Sequence, residues 1–117
     1  MLIVDGHLDL AMNALDWNRD LTQNVDTIRK SEYHMTEKGR AANTVSFPEL
    51  KKGRVMLSFA TLLARIAHET NNFIGNSTQG ICHAKARGQL SYYELYQRLG
   101  HLRILTDWPA VEEHVAQ

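Results

Sequence analysis

Two apolar stretches, separated by a long connection, limit what this chain can fold into. Met1-Leu2-Ile3-Val4 is apolar without alternation and runs straight into Asp5-Gly6-His7, a turn signal. A short run of this kind reads as a strand buried on both faces. A strand at the first residues leads to the expectation that no domain precedes it. Arg54 to Ala64 (RVMLSFATLLA) is the most apolar segment, entered through the basic turn Lys51-Lys52-Gly53. Its Val, Phe and Thr content argues for a second buried strand, although periodicity alone also allows a helix. Strands joined by long connections and followed by helices fit pieces of an α/β fold. Two strands alone do not make a stable sheet.

The rest of the chain supplies connections and helices. Between Asp9 and Ser31 apolar residues are scattered among Asn, Asp and Arg, which predicts a long loop with helical pieces near Leu10–Leu15 and Val25–His34. Residues 36–44 and 68–78 read as loops. A long helix is predicted over 79–101, because Tyr92, Leu95, Tyr96, Leu99 and Leu102 recur at three- and four-residue steps. Gly88 inside it suggests a kink or close packing, and Gly100 marks its end. Thr106-Asp107 then supplies an N-cap and Pro109 a first helical turn for a second helix.

Composition narrows the function. With 117 residues, the chain is too short for a closed (β/α)₈ barrel, which needs about 200–250. Thirteen Lys and Arg balance 13 Asp and Glu, which gives no basic footprint for nucleic acid. The single cysteine, Cys82, cannot form an internal disulfide, and it is expected to be buried and inert. No apolar run approaches a membrane span and no signal peptide is evident, so a cytoplasmic protein is expected.

The sharpest chemical feature is Val4-Asp5-Gly6-His7-Leu8-Asp9. On an extended segment residues two apart point to the same side, so His7 and Asp9 face one space. An imidazole and a carboxylate converging at the end of a strand suit a shared divalent ion such as zinc. Gly6 would let the backbone turn or approach a neighbour, and Asp5 would fix the imidazole tautomer as an outer acceptor. The same His-x-Asp is equally written by polar residues in a turn. His68-Glu69 begins like a helical H-E-x-x-H zinc motif, but Asn72 stands where the second histidine belongs. His34, His83, His101 and His114 show no ligand spacing, Lys51, Lys52 and Arg54 read as a solvated turn, and Tyr92, Tyr93 and Tyr96 read as a packing face. No nucleophile motif or phosphate loop is present. An aspartate-nucleophile phosphatase would want Asp-x-Asp after the first strand, whereas here Asp5 is followed two positions on by His7.

Val4-Asp5-Gly6-His7-Leu8-Asp9-Leu10 resembles the opening of the membrane (renal) dipeptidase family of zinc metallopeptidases, in the amidohydrolase superfamily, and is closest to bacterial members. Phe47 to Val55 followed by Leu57-Ser58-Phe59-Ala60 resembles that family's approach to its second barrel strand. The segment from Gln79 to Gly100, then Ile104-Leu105-Thr106-Asp107, resembles the crossover helix before the third. The resemblance spans nearly the whole chain. It implies an incomplete (β/α)₈ TIM barrel over residues 1–117, comprising the first two strands plus following helices. In the complete protein it implies two zinc ions, a metal-activated water and a dipeptide substrate, with His7 and Asp9 as ligands of one zinc. The family's bridging carboxylate and later histidines match no position here. The resemblance therefore implies the N-terminal part, a fragment, of a dipeptidase: a hydrolase of the family by descent, inactive alone, binding zinc weakly, and with no catalytic residue assigned.

Two other readings remain beside it. One is a non-catalytic module derived from such a barrel, which would assemble as a homo-oligomer or with the remainder of the barrel through exposed strand edges. The other is an unrelated α/β binding domain in which His7 and Asp9 are incidental. None involves nucleic acid or a membrane.

Overall fold

The computed structural model describes residues 3–67 and 75–117, in two compact units, Met1–Thr61 and Leu62–Gln117. The result is a small mixed α/β protein. No described helix is long and apolar enough to cross a membrane.

In the first unit β1 (Ile3–Leu8) and β2 (Val55–Ala60) form a two-stranded parallel sheet. Parallel neighbours need a crossover, and here it carries α1 (Leu10–Trp17), α2 (Val25–Glu32) and α3 (Phe47–Lys52). The helical pieces expected near Leu10–Leu15 and Val25–His34 are thus α1 and α2. Asn24 caps α2 through a side chain that accepts from the Thr27 N–H at 2.8 Å, as the residue type favours. A helix at 47–52 was not expected. Pro48 occupies its first turn and Ser46 its N-cap position, but six residues are too few to show a period.

Three expectations for the strands are corrected. Asp5-Gly6-His7 is not a turn. β1 runs through it, because Asp5 pairs with Ser58 and Leu8 with Ala60, and this cross-strand pairing overrides the local turn preference. Nor is β1 buried on both faces: Val4 is 56% exposed, and Phe59 on β2 is 64% exposed. Each strand has a single partner within this sheet, and the buried apolar side chains of the unit lie elsewhere: Leu10, Ala11, Leu21, Val25, Ile28 and Phe47. Finally, β2 ends at Ala60, short of the apolar run to Ala64.

A buried polar cluster ties the crossover together. Glu32 accepts from Arg19 Nε at 2.8 Å, Arg19 Nη2 at 2.9 Å, Arg40 Nη1 at 3.1 Å and the Ala41 N–H at 2.9 Å. The Arg19 guanidinium beside it holds the Glu32 carboxyl at about 2, against an ordinary 4.5, with Ala41 and Arg40 adding to the effect against burial. Both guanidiniums lie 4.9 Å from the centroid of the Trp17 ring, within cation–π range. At Gly39, with φ +94°, a Cβ would come 2.9 Å from Trp17, and its carbonyl accepts from Arg19 at 2.8 Å. Residues 36–44, read as a polar loop, therefore wall this cluster.

In the second unit residues 62–67, outside any helix or strand apart from an isolated bridge of Ile66 with Asn76, precede α4 (Gln79–Arg98) and α5 (Trp108–Ala116). The Thr78 side chain caps α4, and the Asp107 side chain caps α5 by accepting from the Ala110 N–H at 2.8 Å. α4 runs unbroken through Gly88. It ends in a Schellman motif: the His101 N–H bonds the Tyr96 carbonyl at 3.0 Å, the Gly100 N–H bonds that of Gln97 at 3.0 Å, and Gly100 takes φ +80°. The expected apolar face of α4 is corrected. Tyr92 and Tyr93 are buried, but Leu95 and Leu99 are exposed and Gln89, at 1%, is the most buried side chain of the helix. Its amide grips Leu63, accepting from the N–H at 2.6 Å and donating to the carbonyl at 2.7 Å. Cys82 is half-buried rather than buried.

Candidate functional site

The site residues come from two positions just past paired strand ends. Leu8 and Ala60 are partners in the sheet, so the residues that follow them, Asp9 and Thr61, emerge side by side. His7, the next-to-last residue of β1, projects to the same end. Its Nε2 stands 3.2 Å from Oδ1 and 3.3 Å from Oδ2 of Asp9. The pair expected from the i, i+2 spacing is thus brought together.

The Asp9 carboxylate is committed to this place. Asp9 holds the N-cap position of α1, where an Asp side chain ordinarily accepts from the first-turn amides and contributes about 0.5–2 kcal/mol. Here it makes no cap bond. Its backbone carbonyl accepts from the Asn13 N–H at 3.1 Å, the ordinary first bond of the helix, and also from Asn13 Nδ2 at 2.9 Å. The carboxylate turns toward His7 and accepts from the Thr61 hydroxyl at Oδ1. Thr61 was not singled out in the sequence. The only signal that points to it is its position immediately after the second strand.

Two expected supporting roles are corrected. Asp5 does not fix the imidazole: its Oδ1 accepts from the backbone N–H of His7 at 2.9 Å. Gly6 is not needed for a turn or a close approach, since a Cβ there would meet nothing within 4 Å. The site is open, with the His7 side chain 72% exposed and that of Asp9 25%.

The donor set fits a divalent cation in chemistry and in spacing. Two ligands bonded to one tetrahedral zinc at about 2.0–2.1 Å stand about 3.3 Å apart, which is the separation of His7 Nε2 from the Asp9 oxygens. The same separation is also that of a simple His–Asp hydrogen bond. Among the described residues no group of three or more His, Cys, Asp or Glu converges on one point, so the pair is half of a tetrahedral shell. His68 and Glu69 lie outside the described residues. Among the described residues His34, His83, His101 and His114 belong to no such group. A shallow depression along α5, lined by Trp108, Val111, Glu112, Val115 and Ala116, offers one carboxylate. Glu112 there accepts from the Trp108 ring N–H at 2.8 Å, and the depression has no ligand set.

No protein-family model, curated protein or solved structure matches the chain.

Proposed function

We propose that this chain is the N-terminal part of a zinc-dependent dipeptidase, forming the first two strands of an incomplete (β/α)₈ barrel and providing the ligand pair of one metal. The convergence of His7 Nε2 and the Asp9 carboxylate at the C-terminal end of a parallel strand carries this reading, because that end is where (β/α)₈ barrels build their sites. His7 Nε2 and Asp9 would hold the ion. Once bound, zinc supplies a Lewis acid and a water acidic enough to ionise near neutral pH. The chain's own residues orient the two donors and leave the opposite side open to water and substrate. A catalytic zinc usually has three protein ligands, and the described residues bring two. Hydrolysis of dipeptides then depends on further ligands, which in the resembled family come from later strands, and on that reading the chain alone is inactive.

Titration of the full chain with Co²⁺, followed by its visible absorption, tests this. One weakly bound ion is expected, lost in His7→Ala and weakened but still measurable in Asp9→Asn, whose amide oxygen remains a neutral donor. A wild-type titration indistinguishable from that of His7→Ala would make the pair an incidental hydrogen bond. Dipeptide hydrolysis by the pure chain, abolished by a chelator, would overturn the inactivity.

The exposed Val4 and Phe59 favour a second reading, a non-catalytic module that assembles with itself or with the remainder of a barrel. Strands of parallel sheets are ordinarily covered on both faces. Intact mass of the natural product from its source cells separates the two readings. A mass well above 13.3 kDa supports the dipeptidase part, and a mass of 13.3 kDa supports the module.

A further inference from the structure

We infer that Thr61 is a positioning residue that fixes the Asp9 carboxylate for one-oxygen binding of a divalent cation beside His7. This rests on the metal-binding reading above and adds to it a residue from the second strand.

Three observations lead there. The Thr61 hydroxyl donates to Asp9 Oδ1, occupying one of the two carboxylate oxygens. The Leu8 carbonyl, at 3.5 Å from the same hydroxyl, lies at the outer limit for such a bond. The Leu8–Ala60 pairing holds the two residues in register across the sheet, so the contact is set by the strands and not by a loop. The Asp9 side chain also forgoes the helix cap that its position offers. A free carboxylate at an N-cap would be drawn to the α1 amides, and the hydroxyl holds it out of that competing geometry.

The consequence is a division of labour between the oxygens. Thr61 takes up one lone pair of Oδ1, and His7 Nε2 stands nearly equidistant from the two oxygens, 3.2 Å from Oδ1 and 3.3 Å from Oδ2, so Oδ2, which carries no bond from Thr61, is the freer donor for a cation. A β-branched side chain has few χ1 rotamers, so a threonine tether is stiffer than a serine one. Hydrogen bonds of this kind to metal-ligating carboxylates typically matter by about 10–100-fold in affinity.

The test is Co²⁺ and Zn²⁺ titration of the full chain carrying Thr61→Val, Thr61→Ser or Asp9→Asn, or Thr61→Val and Asp9→Asn together, with far-UV circular dichroism to confirm folding. Thr61→Val keeps the shape and removes the hydroxyl. It is expected to weaken binding about 10–100-fold and to alter the Co²⁺ visible spectrum. Thr61→Ser is expected to restore most of the affinity and the wild-type spectrum. With Asp9→Asn already present, Thr61→Val should cost little more. Equal losses from Thr61→Val with and without Asp9 would show a general structural effect and overturn the positioning role. So would wild-type affinity and spectrum in Thr61→Val, while leaving the metal reading intact. Wild-type protein that binds no more metal than His7→Ala would remove the metal reading itself, and the positioning role with it.

Discussion

Arg19 and Glu32 meet side by side in the interior of the first unit, Nε to Oε1 at 2.8 Å and Nη2 to Oε2 at 2.9 Å. Arg19 follows α1 and Glu32 ends α2, so this two-pronged pair fastens the two helix ends to each other. Arg40 adds a second guanidinium to the same carboxylate. The cluster thus holds two cations and one anion. Polar oxygens answer the excess: the Trp17 carbonyl accepts from Arg40 at 2.6 Å, and Asn13 Oδ1 accepts from Arg19 at 2.7 Å.

Replacing Glu32 by Gln keeps the shape of the side chain and removes the only anion of this cluster. Breaking a buried pair from one side costs about 3–5 kcal/mol, because a buried charge is left uncompensated. Domains of this size have about 5–15 kcal/mol in all. Urea unfolding followed by tryptophan fluorescence should therefore show Glu32→Gln destabilised by about that amount. A loss below about 1 kcal/mol would mean that the guanidiniums are stabilised without the carboxylate.

The same carboxylate sets an acid limit. Its folded value, about 2, lies below the ordinary 4.5, so the unfolded chain takes up the proton first as pH falls. Stability from ionised Glu32 is present in full above 4.5 and is lost as pH drops through about 2, a swing of roughly 3 kcal/mol. Unfolding free energies measured from pH 6 downward should show wild type and Glu32→Gln converging at the acid end. A constant gap between them would place the shift elsewhere.

What the sequence discloses and what it hides divide along a physical line. β2, α1, α2, α4 and α5 are legible because their signals are local: an apolar run, apolar residues at three- and four-residue steps, the Thr106-Asp107 cap, a glycine at the helix end. The pair His7 and Asp9 is legible for the same reason, since two residues on one extended segment need no tertiary contact to face one space. Arg19, Glu32 and Gln89 look like surface residues in sequence, because their partners lie 13 and 26 positions away and leave no periodic trace. Thr61 is hidden more completely. It lies 52 residues from Asp9, and only the pairing of Leu8 with Ala60 joins them.

Gln89 acts as a one-residue substitute for a neighbouring strand, satisfying both backbone groups of Leu63. Gln89→Leu keeps the volume and removes both partners, and an unmade buried hydrogen bond costs about 1–3 kcal/mol for each group left. A destabilisation of about 2–5 kcal/mol is expected, with faster hydrogen exchange at the Leu63 amide. Gln89→Glu retains the acceptor for that amide and should protect it better than Leu does. Unchanged exchange at Leu63 in Gln89→Leu would mean that the contact does not order residues 62–67.

The sheet presents its apolar side to water. Val4 pairs with Leu57, and Phe59 lies two residues further along β2, so the alternation of strands puts all three on one face. An exposed apolar patch of this kind marks a surface that another surface covers. Wild-type protein should therefore bind a hydrophobic dye and sediment with a mass that rises with concentration, and the double variant Val4→Lys, Phe59→Lys should do neither. Because both side chains are exposed, the substitutions should change unfolding free energy by no more than about 0.5 kcal/mol each. A loss of several kcal/mol would show that this face is already buried within the single chain. Undiminished association in the double variant would shift the contact to another surface and remove the main support for the assembling-module reading.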